Sequence, residues 1–281
     1  MKALVRKAVG SALHVYARPF SRPGACLDDI TDKPPTILVQ NISGIGNCLM
    51  ATPLIAELRR LYPEARIDLV TTPGSAQLLA TNPHITEVIA DPSERPEEKQ
   101  AYRQLTRQHR ERRYDICFLT LLTLGFKYGI RAVLGRVPIR VGHGYSFTPS
   151  DDYTPLCTHR VAWDQTQHDV ESNLDLLRAV TRREVKAGPL EMPVADSDRT
   201  QALEHAPFRE GVDKHVAVCP GSDFRTRHKR WPMENYAGLI RRLQQTHGNT
   251  QFYIFCGPDE KEEASFFRTQ SFTVDVPIVE G

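Results

Sequence analysis

The 281 residues contain no run long and apolar enough to cross a bilayer as a helix. The longest, ICFLTLLTLGF from Ile116, is short and interrupted by threonines and a glycine. Six cysteines are present, yet none forms a C-x-x-C pair, and ten histidines offer no H-E-x-x-H. No metal is therefore expected, structural or catalytic. An excess of one charge is missing too, since 36 Lys and Arg stand against 34 Asp and Glu, a net charge of +2. That balance excludes the overall field of a nucleic-acid-binding protein. Cys26, Cys48, Cys117, Cys157, Cys219 and Cys256 lie far apart, several in or beside apolar runs. The pattern points to reduced, buried thiols in a cytosolic compartment. There is no internal repeat and no low-complexity tract.

One local imbalance stands out against this neutrality. Residues 1–27 carry Lys2, Arg6, Lys7, Arg18 and Arg22, and no acid occurs before Asp28. The stretch KALVRKAVGSALHVYARPF is too often interrupted to be a secretory signal. Leu4, Val5, Ala8, Ala12 and Val15 fall near helical spacing with basic residues between them. This is either a helix lying on an anionic membrane surface or a solvated, loosely docked one.

Beyond residue 35 the sequence alternates between two periods. Apolar runs predict strands near 36–42, 66–71, 86–90, 114–120 and 139–142. Helical spacing predicts helices near 47–62, 75–81, 96–112 and 126–134. In the first helix Ala51, Leu54, Ile55, Leu58, Leu61 and Tyr62 form one apolar stripe, closed by Pro63. Strands joined by helical crossovers imply a parallel sheet with helices on both faces. A polar, turn-rich stretch comes next (143–160), then a helix near 167–181. The segment REVKAGPLEMPVADSD, from Arg183, is rich in proline, glycine and charge, and suits a linker. A second α/β unit begins at HVAVCPGS, with strands near 215–219 and 251–256 around a helix near 233–247. The expected division is a basic extension (1–35), a first domain (36–182), a linker (183–214) and a second domain (215–281).

In such a fold ligands sit beyond the carboxyl ends of the strands. Two loops are candidates. The first is SGIGN, Ser43 to Asn47, where Gly44 and Gly46 allow close backbone approach before a helix. It is no dinucleotide fingerprint, because Leu49 stands where a third glycine would be needed, and no Gly-Lys-Ser/Thr makes it a P-loop. A tight turn without a ligand is the competing reading. The second is CPGSDFRTRHKRWP, where Gly221 and Ser222 follow a strand and Arg225, Arg227, Lys229 and Arg230 supply cations. Small residues, free N–H groups and cations together suit a diphosphate. An ordinary solvated basic loop is the alternative.

Four stretches, in order, resemble the glycosyltransferase family 9 enzymes, the heptosyltransferase-like family of lipopolysaccharide synthesis. They are ILVQNISGIGNCLMATPLIAELRRLYPEARIDLV, RAVLGRVPIRVGHG, HDVESNLDLL and VAVCPGSDFRTRHKRWPMENYAGLIRRL. The resemblance implies a GT-B architecture of two Rossmann-like domains with parallel sheets. It implies inverting, metal-independent transfer without a cofactor. The donor would be an ADP-heptose-like nucleotide sugar and the acceptor a lipid-linked saccharide, met on the cytoplasmic face of the inner membrane. Lys229 matches the family lysine that contacts the donor phosphates, and Ser222 the small hydroxyl of the phosphate loop. Asn47 falls where the family usually has an aspartate that acts as general base. The acceptor side is assigned to Lys127, Arg131 and Arg136. Two departures stand out: an amide cannot accept a proton at neutral pH, and the family's later Asp/Ser-x-Gly-Pro/Leu-x-His loop does not occur. The second domain is accordingly expected to be incomplete and the protein to be shortened at its C-terminus. The rival reading is a non-catalytic nucleotide-sugar or saccharide-binding protein. A nicotinamide-dependent oxidoreductase is disfavoured, since Val70 and Thr71 stand where an acid should end the second strand.

Overall fold

A computed structural model describes residues 2–91, 99–123, 125–145, 156–205, 209–222 and 224–280. They group into two units, Met1–Pro193 and Val194–Gly281. In the first, α1 (Lys2–Ala17) precedes β1 (Thr36–Asn41), α2 (Ile45–Leu49), α3 (Thr52–Leu61), β2 (Arg66–Thr71), α4 (Pro73–Leu79) and β3 (Glu87–Ala90). Then come α5 (Lys99–Arg112), β4 (Ile116–Leu119), α6 (Phe126–Leu134), β5 (Ile139–Gly144), β6 (His159–Ala162) and α7 (Asp169–Arg178).

The six strands form one parallel sheet in the order β3-β2-β1-β4-β5-β6. This is the doubly wound arrangement, whose order reverses between β1 and β4. The apolar runs belong to the middle of the sheet, where both faces are covered. Ile37 pairs with Ile67 on one side and Ile116 on the other. Side chains alternate across the sheet. Ile37 and Val39 pack on Leu54 and Leu58 of α3 and on Leu174 and Leu177 of α7. Leu38 faces Leu105 of α5 and Tyr128 and Ala132 of α6.

Three elements differ from expectation. The helix predicted over 47–62 is two helices, because Pro53 stands in the first turn of α3 and lacks the N–H that would continue α2. The Thr52 hydroxyl instead donates to the Leu49 carbonyl at 2.8 Å. The stretch read as turn-rich contributes β6, an edge strand whose residues are only partly covered, while residues 146–155 lie outside the described ones. The basic extension is docked along one side and exposed along the other: Leu13, Ala17 and Phe20 pack on Phe126, Ile130 and Val133 of α6 and on Leu156.

His109 of α5 is fully buried, edge-on to Tyr114 at 5.6 Å, and neither ring nitrogen has a hydrogen-bond partner among the described residues. Burial, reinforced by Arg131 and Arg112, holds its pKa well below 6.5. The folded protein therefore keeps it neutral while the unfolded protein takes up a proton. Its contribution to stability is complete above pH 6.5 and falls with pH below that, by about 1.4 kcal/mol per unit. Urea melts between about pH 5 and 7 should show His109→Leu losing that much of the slope. A slope equal to the parent's would refute the buried-neutral assignment.

The second unit contains α8 (Asp196–His205), β7 (Lys214–Val218), α9 (Met233–Thr246), β8 (Thr250–Cys256), α10 (Lys261–Arg268) and β9 (Ile278–Glu280). Its sheet is parallel, β7-β8-β9. Phe252 and Ile254 of β8 pack on Ala237 and Ile240 of α9 and on Ala264 and Phe267 of α10. Both α8, inside the stretch read as linker, and α10 went unforeseen.

Candidate functional site

At the carboxyl end of β1 the side chain of Asn41 is fully buried. Its amide nitrogen donates to Thr120 Oγ1 at 2.8 Å and to the Asn47 carbonyl at 3.3 Å, while its oxygen accepts from Ser43 Oγ at 2.9 Å. The hydroxyls of Thr120 and Thr123 donate to the Gln40 carbonyl at 3.1 and 3.0 Å. The Ser43–Asn47 loop is thereby tied to β1 and to the residues after β4, at the point where strand order reverses.

Asn173 of α7 adds a second tie. It accepts from the Leu121 N–H at 2.9 Å and donates to the Met50 carbonyl, just past α2, at 3.0 Å. His168 caps α7, its Nδ1 accepting from the Val170 N–H at 3.2 Å. The stretch HDVESN is thus a brace for the glycine loop, a role that neither its composition nor its spacing announces.

Gly44 and Gly46 are exposed, and a Cβ on either would meet open space. Gly44 has φ −63°, so neither strain nor packing requires glycine here. The bare backbone leaves room for a ligand. Asn47 is half-buried, in the middle of α2. Cys48 beside it is a buried thiol in contact with Thr71 Oγ1 at 3.4 Å, and burial pushes its pKa up, away from nucleophilic use.

The three expected acceptor cations do not form one surface group. Arg131 is entirely inside the protein. Its Nη1 lies 2.5 Å from Asp91 and its Nε and Nη2 reach Gln40 Oε1 at 3.1 and 2.7 Å. That assignment is therefore corrected: the charge is matched internally and anchors α6 to the sheet. Lys127 is half-buried over the Tyr128 ring, at 4.9 Å. Arg136 is exposed, with φ 59°, and its Nε donates to Tyr16 of α1 at 3.4 Å.

In the second unit, β7 ends in exposed Cys219 and the partly covered Gly221 and Ser222. A Cβ at position 221 would overlap the Glu260 carboxylate, 1.3 Å from its Oε1. The Glu260 carboxylate, at the start of α10, thus lies directly against the Gly221 backbone and would have to swing aside for any larger residue. Glu260 Oε2 accepts from the Gly257 N–H at 2.7 Å. Arg230, expected to meet a diphosphate directly, is only 10% exposed. It donates from Nε to Ser222 Oγ at 3.3 Å, from Nη2 to the Ser222 carbonyl and from Nη1 to Glu263, with Glu260 at 3.7 Å. Arg230 is thus a brace that sets Ser222, and its charge is met by two carboxylates. Lys229 beside it is exposed and makes no ion pair among the described residues. The side chain of Arg225 lies outside the described residues. The acids of α10 were missed, although the run DEKEE carried a signal.

Each unit therefore presents, at the carboxyl end of its sheet, a glycine-bearing loop held by buried polar side chains. Among the described residues, the loop of the second unit has an exposed cation outside any ion pair next to it. The model of glycosyltransferase family 9 (heptosyltransferase) matches residues 102–272, more than half of the protein. Lipopolysaccharide heptosyltransferase 3 of Escherichia coli is 26% identical over 224 residues, covering 78% of this chain. This chain spans 63% of that protein's length. Among solved structures, glycosyl transferase family 9 from Veillonella parvula superposes with TM-score 0.70 at 19% identity, over 87% of this chain and 69% of that one. E. coli ADP-heptose lps heptosyltransferase II gives TM-score 0.65 at 22% identity, over 85% and 69%. These likenesses and the two parallel sheets agree on a GT-B-like fold. The chain belongs to glycosyltransferase family 9, the heptosyltransferase family.

Proposed function

We propose that this protein moves a heptose-like sugar from a nucleotide diphosphate donor to a lipopolysaccharide or related saccharide acceptor, with inversion and without a metal. The observation that carries the reading is the loop after β7. Gly221 and Ser222 are set in place by Arg230, and the neighbouring cation, Lys229, is exposed and outside any ion pair among the described residues. A fixed small-residue loop beside an uncommitted ammonium suits a diphosphate. The donor class follows the similar E. coli protein, an ADP-heptose lps heptosyltransferase. In the transfer, an acceptor hydroxyl attacks the anomeric carbon from the face opposite the diphosphate. The C–O bond to the diphosphate breaks with its electron pair going to the diphosphate oxygen, Lys229 and loop N–H groups stabilise the departing charge, and the hydroxyl proton passes to water. Ser43, Gly44, Gly46 and Asn47 face the acceptor in this reading, with Lys127 and Arg136 meeting its phosphates. The acceptor is lipid-linked and the protein works at the cytoplasmic face of the inner membrane.

One observation favours a second reading, a nucleotide-sugar or saccharide-binding protein that does not catalyse. Asn47 has no proton-accepting group, and its amide cannot replace a carboxylate. Binding is common to both readings and is tested first. Lys229→Ala should weaken ADP binding by about 1.5–3 kcal/mol, roughly tenfold to 150-fold, as for hydrogen bonds to charged groups. An unchanged dissociation constant by calorimetry would return the loop to a solvated basic surface.

A further inference from the structure

α1 docks through Leu13 and Ala17 and leaves an apolar stripe on its outer side. Ala17 is 2% exposed and Gly10 is buried, whereas Val9, Val15 and Tyr16 are 39%, 61% and 40% exposed. With exposed Ala12 these outward residues fall at i, i+3, i+6 and i+7, one face of the helix. In sequence, Val5 and Ala8 continue the same spacing. Val9 and Val15 are more exposed than Leu13 and Ala17, through which α1 packs on α6, so part of the helix's apolar surface is left facing outward.

The charge on this side of the unit is equally uneven. α5 and α6 pack on one face of the sheet, and α1 packs on α6. Residues 1–27 and 126–136 contain no acid, and Glu111 is the one acid in 99–113. It pairs with Arg107 at 2.7 Å. Arg18, Arg22, Arg103, Arg110, Arg113 and Arg136 are all exposed. The opposite face carries both signs, with Glu171 and Asp175 of α7 paired with Arg178 and the buried Glu57 of α3 paired with Arg60. Glu94, Glu97 and Glu98, just before α5, lie outside the described residues.

We propose that the α1–α6–α5 face docks on an anionic lipid bilayer, with the Val9–Ala12–Val15–Tyr16 stripe of α1 in the headgroup region. Aliphatic residues flanked by arginines, with an aromatic at one edge, are the chemistry of an interfacial helix. A second copy of this chain would bring like charges together. A nucleic acid would use the cations but has no use for the valines, and its bases stack on aromatic rings rather than on aliphatic side chains. The inference does not rest on the transferase reading.

The test is flotation of the full-length protein with vesicles of phosphatidylcholine alone and of phosphatidylcholine mixed with phosphatidylglycerol, at low and high salt. Binding is expected only to the phosphatidylglycerol vesicles, weakened by salt. Arg18→Ser with Arg22→Ser should lower the partition about 30-fold, near fivefold per cation. Val15→Asp should lower it too, with an unchanged circular dichroism spectrum and melting temperature showing that α1 stays docked. Equal binding to both vesicle types, or no binding, would overturn the proposal. So would vesicle binding indifferent to Val15→Asp alongside equal affinity for duplex DNA, which would mark a merely cationic surface. ADP calorimetry on the same samples separates the two readings: vesicle binding without ADP binding would uphold this face and sink the donor site.

Discussion

Replacing Asp91 with alanine is expected to destabilise the N-terminal unit by about 3–5 kcal/mol, the usual cost of removing one partner of a buried ion pair. The fall in melting temperature should be about 6–20 °C for a unit of this size. The reason is less the lost attraction than the charge left behind. Arg131 is fully buried, and beyond Asp91 its partners among the described residues are the neutral oxygen of Gln40 and the rings of Tyr128 and Tyr102, at 5.4 and 5.6 Å. None of these neutralises a guanidinium, which cannot give up its proton. Removing both charges in Asp91→Leu with Arg131→Met should therefore recover most of the loss. Glu111→Ala, which breaks the exposed pair with Arg107, should cost under about 1 kcal/mol. Urea unfolding of the four proteins decides the matter. If Asp91→Ala matched Glu111→Ala, Arg131 would have to be reaching solvent.

Asn47→Asp is expected to raise the transfer rate by about 100-fold to 10,000-fold, the usual worth of a positioned general base. The expectation comes from where Asn47 sits. Asn41 holds its backbone carbonyl, and Asn41 in turn is held by Thr120 and Ser43. A carboxylate introduced there inherits a prepared backbone. On the proposed transfer, the parent's amide would orient the acceptor hydroxyl and leave its proton to water. The pH–rate profiles distinguish the cases, because the aspartate variant should gain an acidic limb that the parent lacks. Superimposable profiles would mean the proton leaves elsewhere. If both proteins bind ADP-sugar and neither transfers the sugar, the binding-protein reading stands.

The fold class and the order of elements were legible in the sequence because they rest on short-range periodicity. Ile37–Val39 and Ile116–Leu119 are short apolar runs that suit a strand covered on both faces. α6 runs over 126–134, as its spacing predicted. The two glycine loops were legible for the same reason: each interrupts a pattern between a strand and a helix. β6 was hidden, since an edge strand covered on one side shows little hydrophobic signal.

What only the tertiary structure decided is the fate of the charged and polar side chains. Arg131 and Arg136 sit on one predicted helix or at its end, and nothing local separates them. One is neutralised by Asp91, 40 residues away, and the other is exposed. Lys229 and Arg230 are neighbours, yet Glu263, 33 residues on, takes Arg230 and leaves Lys229 to the surface. Asn41 and Asn173 look like ordinary polar residues until the sheet brings Thr120, Met50 and Leu121 to them. Hydrophobic burial is set by a residue's own side chain and its spacing, so sequence carries it. The meaning of a charge or an amide depends on which partner folding delivers within about 3 Å.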